Sequence, residues 1–410
     1  MEVCPVKIGL VPLVAPVSGP RALGTHAALE ALAGEFDFAV VSPDEMGAAD
    51  LPAFLIRTGG TEGLFQQALA ALPASRDPLT LLAVDRDNSL PASLEILAWL
   101  QGQGHRNARI LLLTAPDAAR RLHERALEVR ATRALAATRL GVVGRPSDWL
   151  IASQVDPDRV RHRWGVELVD LDLAELDLHL EAVSEAEVEG LAVPAPVQAL
   201  EASRVRPALR IYLALKSLVQ AHGLTALTLR CFDLLEDLRA TGCLALALLN
   251  DEGLVAGCEG DVPTTFTMLA NRLVTGEPSF MANPSRLEGD EVVLAHCTAP
   301  LSMLTGYTCP SHFESDLGVA VAGNLAQGPV TLSRFGGADL GEGMIYEGDL
   351  VDHVPSPHLC RTQVRARVQG LGARLLEAPL GNHLVVSPGH HKTRLEALLA
   401  LGKTSGPGGA

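Results

Sequence analysis

The chain predicts an α/β fold: two doubly wound, Rossmann-like α/β domains followed by a β-rich C-terminal domain. Three observations point there. Apolar segments of strand length alternate with longer amphipathic stretches over the first two-thirds of the sequence, the mark of a largely parallel sheet. Beyond residue 282 the texture changes to short alternating runs separated by Gly and Pro turns. The 410 residues also exceed one domain of about 150 residues more than twofold.

Taken in order, residues 7–11, 36–41, 79–84 and 108–113 are the strand candidates of a first domain spanning 1–140. Between them 24–32, 63–72, 91–103 and 115–128 carry apolar positions at helical spacing. A second domain, 141–281, starts with the strand pattern 140–143 and the turn and cap signal Arg145-Pro146-Ser147-Asp148, followed by a strand at 166–171. Residues 181–189 are acidic, 192–197 form a Pro-containing connector, and 207–222 have the Leu/Ile/Tyr spacing of a one-faced helix. Strands are expected at 226–231 and 244–249, flanking a short charged helix. The third domain, 282–402, contains the alternating runs 291–295, 330–335 and 360–368, and 403–410 reads as a disordered tail. No internal repeat is visible.

The composition excludes several function classes. A net charge of −15 disfavours a surface that must neutralise nucleic-acid phosphates. Aromatic residues are only 4% of the chain, so stacking platforms for bases are scarce. No apolar run reaches the ~18 to 20 residues of a membrane span, and the first residues lack a secretory pattern, so no membrane association and a cytoplasmic location are expected. The seven cysteines are widely spaced without a CxxC pair, which fits neither a disulfide framework nor a thiolate zinc site. Arg57-Thr58-Gly59-Gly60-Thr61-Glu62 has neither dinucleotide nor Walker spacing, and no GxSxG occurs.

The chemistry-bearing residues lie in the second half. Cys258-Glu259-Gly260-Asp261 follows a strand and opens a helix candidate at 263–273, which puts two carboxylates at the carboxyl edge of a sheet, where α/β proteins collect their ligands. Asp261 before Val262-Pro263-Thr264 has the form of a helix N-cap. Glu259, following Leu254-Val255-Ala256-Gly257, sits in apolar surroundings and calls for a cation, which a metal supplies. His296 closes the run Val292-Val293-Leu294-Ala295, and His383 lies in Gly381-Asn382-His383-Leu384. Either can be a hydrogen-bonded core histidine or a metal ligand. His390 and His391, beside Lys392, read as solvent-facing or as anion contacts.

Several motifs taken together resemble the L-fucose isomerase family and, more distantly, the L-arabinose isomerases. They are Thr58-Gly59-Gly60-Thr61-Glu62, Asn88-Ser89-Leu90-Pro91-Ala92-Ser93-Leu94-Glu95 and the segment from Gly144 to Ser153 in the first half. In the second half they are Cys258-Glu259-Gly260-Asp261, Ala295-His296-Cys297-Thr298, Cys360-Arg361-Thr362-Gln363 and Gly381-Asn382-His383, the more specific group. The likeness covers most of the chain and is nearest to a short, divergent branch of fucose isomerase-like proteins.

That resemblance implies a divalent-metal-dependent sugar isomerase interconverting an aldose and a ketose through an enediolate. It implies Mn²⁺ as the metal, a monosaccharide substrate, and a homo-oligomer with its site near a subunit interface. Glu259 matches the family glutamate that binds metal and transfers protons, His383 the late histidine ligand, and His296 a further ligand of the arabinose branch. The second family carboxylate falls on Asn283, or on Ala282 if the register differs by one. Asn283 is thus carried as an auxiliary ligand and catalytic position, although an amide cannot exchange a proton near neutral pH. Glu259 alone, Glu314 or Asp261 can take over that work. Alternatively the chain is a catalytically altered or inactive sugar-binding homologue, or a metal-dependent sugar lyase or epimerase.

Overall fold

The computed structural model describes residues 5–16, 27–73, 77–105, 107–198, 200–353 and 355–402. The expected tail 403–410, Cys4 and the first turn of the helix expected at 24–32 lie outside them. Among the described residues, no helix is long and apolar enough to cross a membrane. The chain divides into two compact units, Met1–Ala136 with Ala400–Ala410, and Ala137–Leu399.

The first unit is built on a parallel sheet of β1 (Val6–Leu13), β2 (Phe36–Val40), β3 (Leu51–Ile56), β4 (Thr80–Ala83) and β5 (Arg109–Leu112), in the order β2-β1-β3-β4-β5. This is a doubly wound order. Alternate residues of β3 enter two separate cores: Leu51, Ala53 and Leu55 pack with Leu122 and Val129 of helix Ala118–Ala136, whereas Phe54 and Ile56 pack with Phe65, Ile96 and Leu100. β3 is missing from the sequence expectation. It is buried at every position and carries Pro52 near its start, so it shows neither polar alternation nor a clean β signal.

The second unit contains a parallel sheet, β6 (Arg139–Val143), β7 (Glu167–Leu171), β8 (Ala226–Leu229) and β9 (Val255–Cys258), ordered β7-β6-β8-β9. The strand expected at 244–249 is instead part of helix Cys243–Asp251. Leu and Ala favour helix over strand, and seven of its nine residues are buried, which erases the amphipathic period that marks a helix. The Asn250 amide then ties this helix to β9, donating to Ala256 O at 2.7 Å and accepting from Ala256 N at 3.2 Å.

Further along the same unit come β10 (Phe280–Glu288), β11 (Glu291–His296), β12 (Leu304–Thr308), β13 (Ala322–Leu325), β14 (Gly328–Gly336), β15 (Glu342–Asp352), β16 (Thr362–Arg367) and β17 (Leu384–Pro388). Six of them close an antiparallel barrel, β10-β11-β16-β15-β14-β17, and β12 pairs with β13. Helix Val262–Thr275 packs against β9, β14 and β17. Its Asn271 donates to Ser333 and accepts from Ser387, and its Thr267 hydroxyl accepts from Phe335 N, so its buried polar groups are spent on the barrel. The parallel sheet's last strand and the barrel thereby share one helix.

Candidate functional site

The site lies inside the second unit. Glu259 follows the last residue of β9, in the left-handed region at φ +63°, a costly conformation for a residue with a Cβ. Gly260 is also left-handed, at φ +69°, and a Cβ there would lie 2.7 Å from Arg145 O and 2.8 Å from Pro146 Cα. Only glycine permits this approach of the 144–153 loop. Ser147 N donates to Glu259 O at 2.9 Å, and Cys258 N meets Met281 Sδ at 3.1 Å, so the turn is braced from both sides.

Three strands deliver the other groups. β10 runs between β11 and β17 with Asn283 opposite Ala295 and Ala282 opposite Leu384. His296 is the last residue of β11 and His383 directly precedes β17, so both fall beside Asn283 at one end of the barrel. One ligand atom each from Glu259, His296 and His383 lies within 4.8 Å of the others, and all three residues are buried. Asn283 is half-buried and lines the same pocket as Glu259 and His296.

The three ligand atoms face one another closely enough that they could share a cation. His296 Nε2 is 3.5 Å and His383 Nε2 3.4 Å from the same oxygen of Glu259, Oε1. The other oxygen, Oε2, accepts from the Trp149 indole N–H at 2.7 Å. Each histidine is held through its second nitrogen: His296 Nδ1 by Thr298 Oγ1 at 2.9 Å, His383 Nδ1 by Asp261 Oδ2 at 2.8 Å. A histidine fixed at Nδ1 by a carboxylate or hydroxyl presents a defined Nε2. The Nε2 of His383 is buried and has no hydrogen-bond partner, an orphan that a cation would satisfy. Two imidazoles and one carboxylate with open positions suit a divalent transition metal.

Asp261 combines two roles. It is the N-cap of helix Val262–Thr275, accepting from Thr264 N at 2.9 Å, as its sequence context suggests. It also faces Arg334, whose Nη1 is 3.2 Å away, with both side chains at 0% exposure. Arg334 donates further to Leu380 O, His383 O and Ser153 Oγ. Burial works against ionisation of Asp261, but Arg334 and His383 hold its carboxyl well below the usual range. Burial likewise opposes the charge on Glu259, but the nearby imidazoles of His383 and His296 outweigh it and hold its carboxyl far below the usual range. For His383, burial favours the neutral ring, yet Glu259 and Asp261 outweigh it and raise its pKa to about 9.

Trp149 and Arg334 escape notice as site residues in the sequence. The one signal for Arg334 is a charge inside the apolar run 330–335, which a barrel strand can bury only against a partner. The pocket is small, about 50 Å³, room for a few water-sized groups. Five of the seven cysteines wall it: Cys231, Cys243, Cys258, Cys297 and Cys360. Cys231 Sγ and Cys258 Sγ are 2.9 Å apart. His312 and Glu314 complete the lining.

Known proteins share part of this sequence. The chain is similar to sulfoquinovose isomerases. Proteins of that name from Priestia aryabhattai and Priestia megaterium (strain ATCC 12872 / QMB1551) are each 27% identical over 248 residues, 57% of this chain and 55% of the relative. One from Clostridium sp. (strain MSTE9) is 31% identical over 152 residues, 35% of this chain and 34% of the relative. The chain thus spans about half the length of the curated relatives it matches. No model of a known protein family matches it. These distant likenesses support a sugar isomerase family without singling out the L-fucose isomerases.

Proposed function

We propose that the protein is a divalent-metal-dependent sugar isomerase, fucose isomerase-like in architecture, interconverting an aldose and a ketose. The convergence of His296 Nε2, His383 Nε2 and Glu259 Oε1 carries this reading. The similarity to sulfoquinovose isomerases supplies the reaction class and makes sulfoquinovose the first sugar to assay. A divalent cation, Mn²⁺ by the resemblance, held by Glu259, His296, His383 and the Asn283 carbonyl oxygen, would polarise the sugar carbonyl and offset charge developing on O1 and O2.

Isomerisation moves a proton between C2 and C1 of the open-chain sugar. In this reading Glu259 does it: its carboxylate is buried at the pocket, and its Oε2 is held by the Trp149 indole N–H. Asp261 and Thr298 keep the two imidazoles oriented. The pocket admits the reacting end of the sugar, and the rest of the molecule extends outward. The same reading includes a cytoplasmic homo-oligomer with the site near a subunit interface.

The test is metal analysis by plasma mass spectrometry, followed by incubation of the Mn²⁺-loaded protein with sulfoquinovose and a panel of aldoses, with ketose formation read by NMR. Metal near one per chain and a ketose product are expected. Absence of both overturns the reading. Asn283 in place of a carboxylate favours one rival, a sugar-binding homologue, which would bind sugar without turnover and irrespective of chelator.

A further inference from the structure

Asn283 leaves the pocket one proton-exchanging group short. Two carboxylates come forward from the sequence to replace it, and the structure closes off the first. Asp261 has 0% exposure, and its oxygens are engaged by Thr264, Arg334 and His383. Glu314 lines the pocket but is itself exposed. Between them in character stands His312, which lines the same pocket as Glu259, Asn283 and His296 and is 6% exposed.

His312 is held on several sides. Its Nδ1 is 3.1 Å from Ser315 Oγ, its backbone N donates to Leu317 O at 2.9 Å, and its carbonyl accepts from Asp316 N at 3.0 Å. The turn is pinned from outside by Ala320 N to Pro310 O at 2.8 Å and by Arg361 Nε to Ser311 O at 2.8 Å. The ring meets Phe232 edge-on at 5.5 Å, and Phe232 meets Trp149 edge-on at 5.0 Å. Trp149 is the residue that holds Glu259 Oε2, so one line of packed rings sets both His312 and Glu259. With Nδ1 occupied by Ser315, Nε2 is the ring atom left for proton exchange.

We propose that His312 is the second acid–base residue of the isomerisation, moving the hydroxyl proton between O2 and O1 while Glu259 moves the carbon-bound proton between C2 and C1. This rests on the isomerase reading above. In the aldose-to-ketose direction Glu259 takes the proton from C2. The C2–H electron pair becomes the C1–C2 double bond, and the C1–O1 π pair moves onto O1. His312 Nε2 removes the proton of the O2 hydroxyl and delivers it to O1. As the C2–O2 double bond forms, the C1–C2 π pair takes the proton back from Glu259 at C1. Both residues end as they began, and no oxidant or other reactant is consumed. O1 and O2 lie side by side in the enediol, so one ring nitrogen serves both. Burial lowers the His312 pKa, with Glu314 and Glu259 opposing and Arg361 assisting, which favours the neutral ring that can accept a proton.

The experiment uses the Mn²⁺-loaded protein and a sugar that the wild type converts. His312→Ala should retain its metal and a KM within threefold. Its kcat should fall on the order of 10²- to 10⁴-fold, the usual worth of a positioned acid–base group. Added imidazole should restore at least tenfold of that loss. A kcat within threefold of wild type, or a loss that imidazole leaves untouched, overturns the proposal and assigns His312 to packing against Phe232. If the alanine variant does not fold, His312→Gln keeps the volume and a hydrogen-bonding end, and a kcat within threefold of wild type there overturns it equally. A wild type that converts no sugar sinks the isomerase reading and this step with it. A converting wild type with an unaffected variant sinks this step alone.

Discussion

His383 Nδ1 lies 2.8 Å from Asp261 Oδ2, and both side chains are completely out of solvent. That bond selects which ring nitrogen faces Glu259, and the same carboxylate is neutralised by Arg334. A helix cap, a buried ion pair and the orientation of a candidate ligand therefore depend on one residue.

Asp261→Asn keeps the cap geometry but weakens the hold on His383. Metal affinity should drop about 10- to 100-fold, the usual effect of losing such a supporting carboxylate. Competition against a chelator measures it. Undiminished affinity would remove Asp261 from the metal site.

Metal uptake should release protons. In the metal-free protein His383 titrates near 9, so its ring is charged at pH 7. A ligating ring must give up that proton at Nε2. Loading should thus liberate about one proton per chain at pH 7 and none well above pH 9, with affinity rising between. Calorimetry in buffers of different ionisation enthalpy reads the count. The stability linkage has the opposite direction. Because the folded pKa is raised above 6.5, the stabilisation from this histidine is complete below 6.5 and is lost as pH rises through about 9. Thermal unfolding of metal-free protein across that window checks the sign.

Glu259→Gln should leave the chain folded, reduce bound metal and lower turnover by at least about 10³-fold, since an amide cannot carry the C2 proton. Turnover near the wild-type rate would take Glu259 out of the mechanism.

Asn283→Asp supplies the carboxylate that the resemblance to the L-fucose isomerases leads one to expect at this position. With His312 handling the hydroxyl proton, kcat should change less than about threefold. A tenfold gain would instead show that the missing carboxylate limits the rate.

Arg334→Met removes the guanidinium from buried Asp261 and leaves only His383 as a nearby positive charge. Urea unfolding should show a loss of about 3–5 kcal/mol, the cost of breaking a buried pair from one side. A loss below about 1 kcal/mol would mean that His383 and Thr264 suffice to hold the charge.

Much of this protein is local and therefore legible in the residues. The alternation of apolar runs marks most strands of both parallel sheets, and the change of texture after 282 marks the barrel. Cys258-Glu259-Gly260-Asp261 falls at a strand end and a helix start because Asp261 caps and Pro263 tolerates the first turn. Where local patterning is erased by burial on all sides, in β3 and in helix Cys243–Asp251, the same reasoning misses a strand and mistakes a helix.

The residue types needed for a metal centre were thus present in the sequence, but their meeting was a tertiary event. Glu259, His296 and His383 are separated by 37 and 87 residues. They converge because β10 pairs with β11 on one side and β17 on the other, in registers that set Asn283 against Ala295 and Ala282 against Leu384. Such registers are decided by hydrogen bonds and packing between distant segments, which leave no trace in local periodicity. For the same reason only the folded chain shows that Asp261 is sealed by Arg334, while His312 shares the pocket with Glu259.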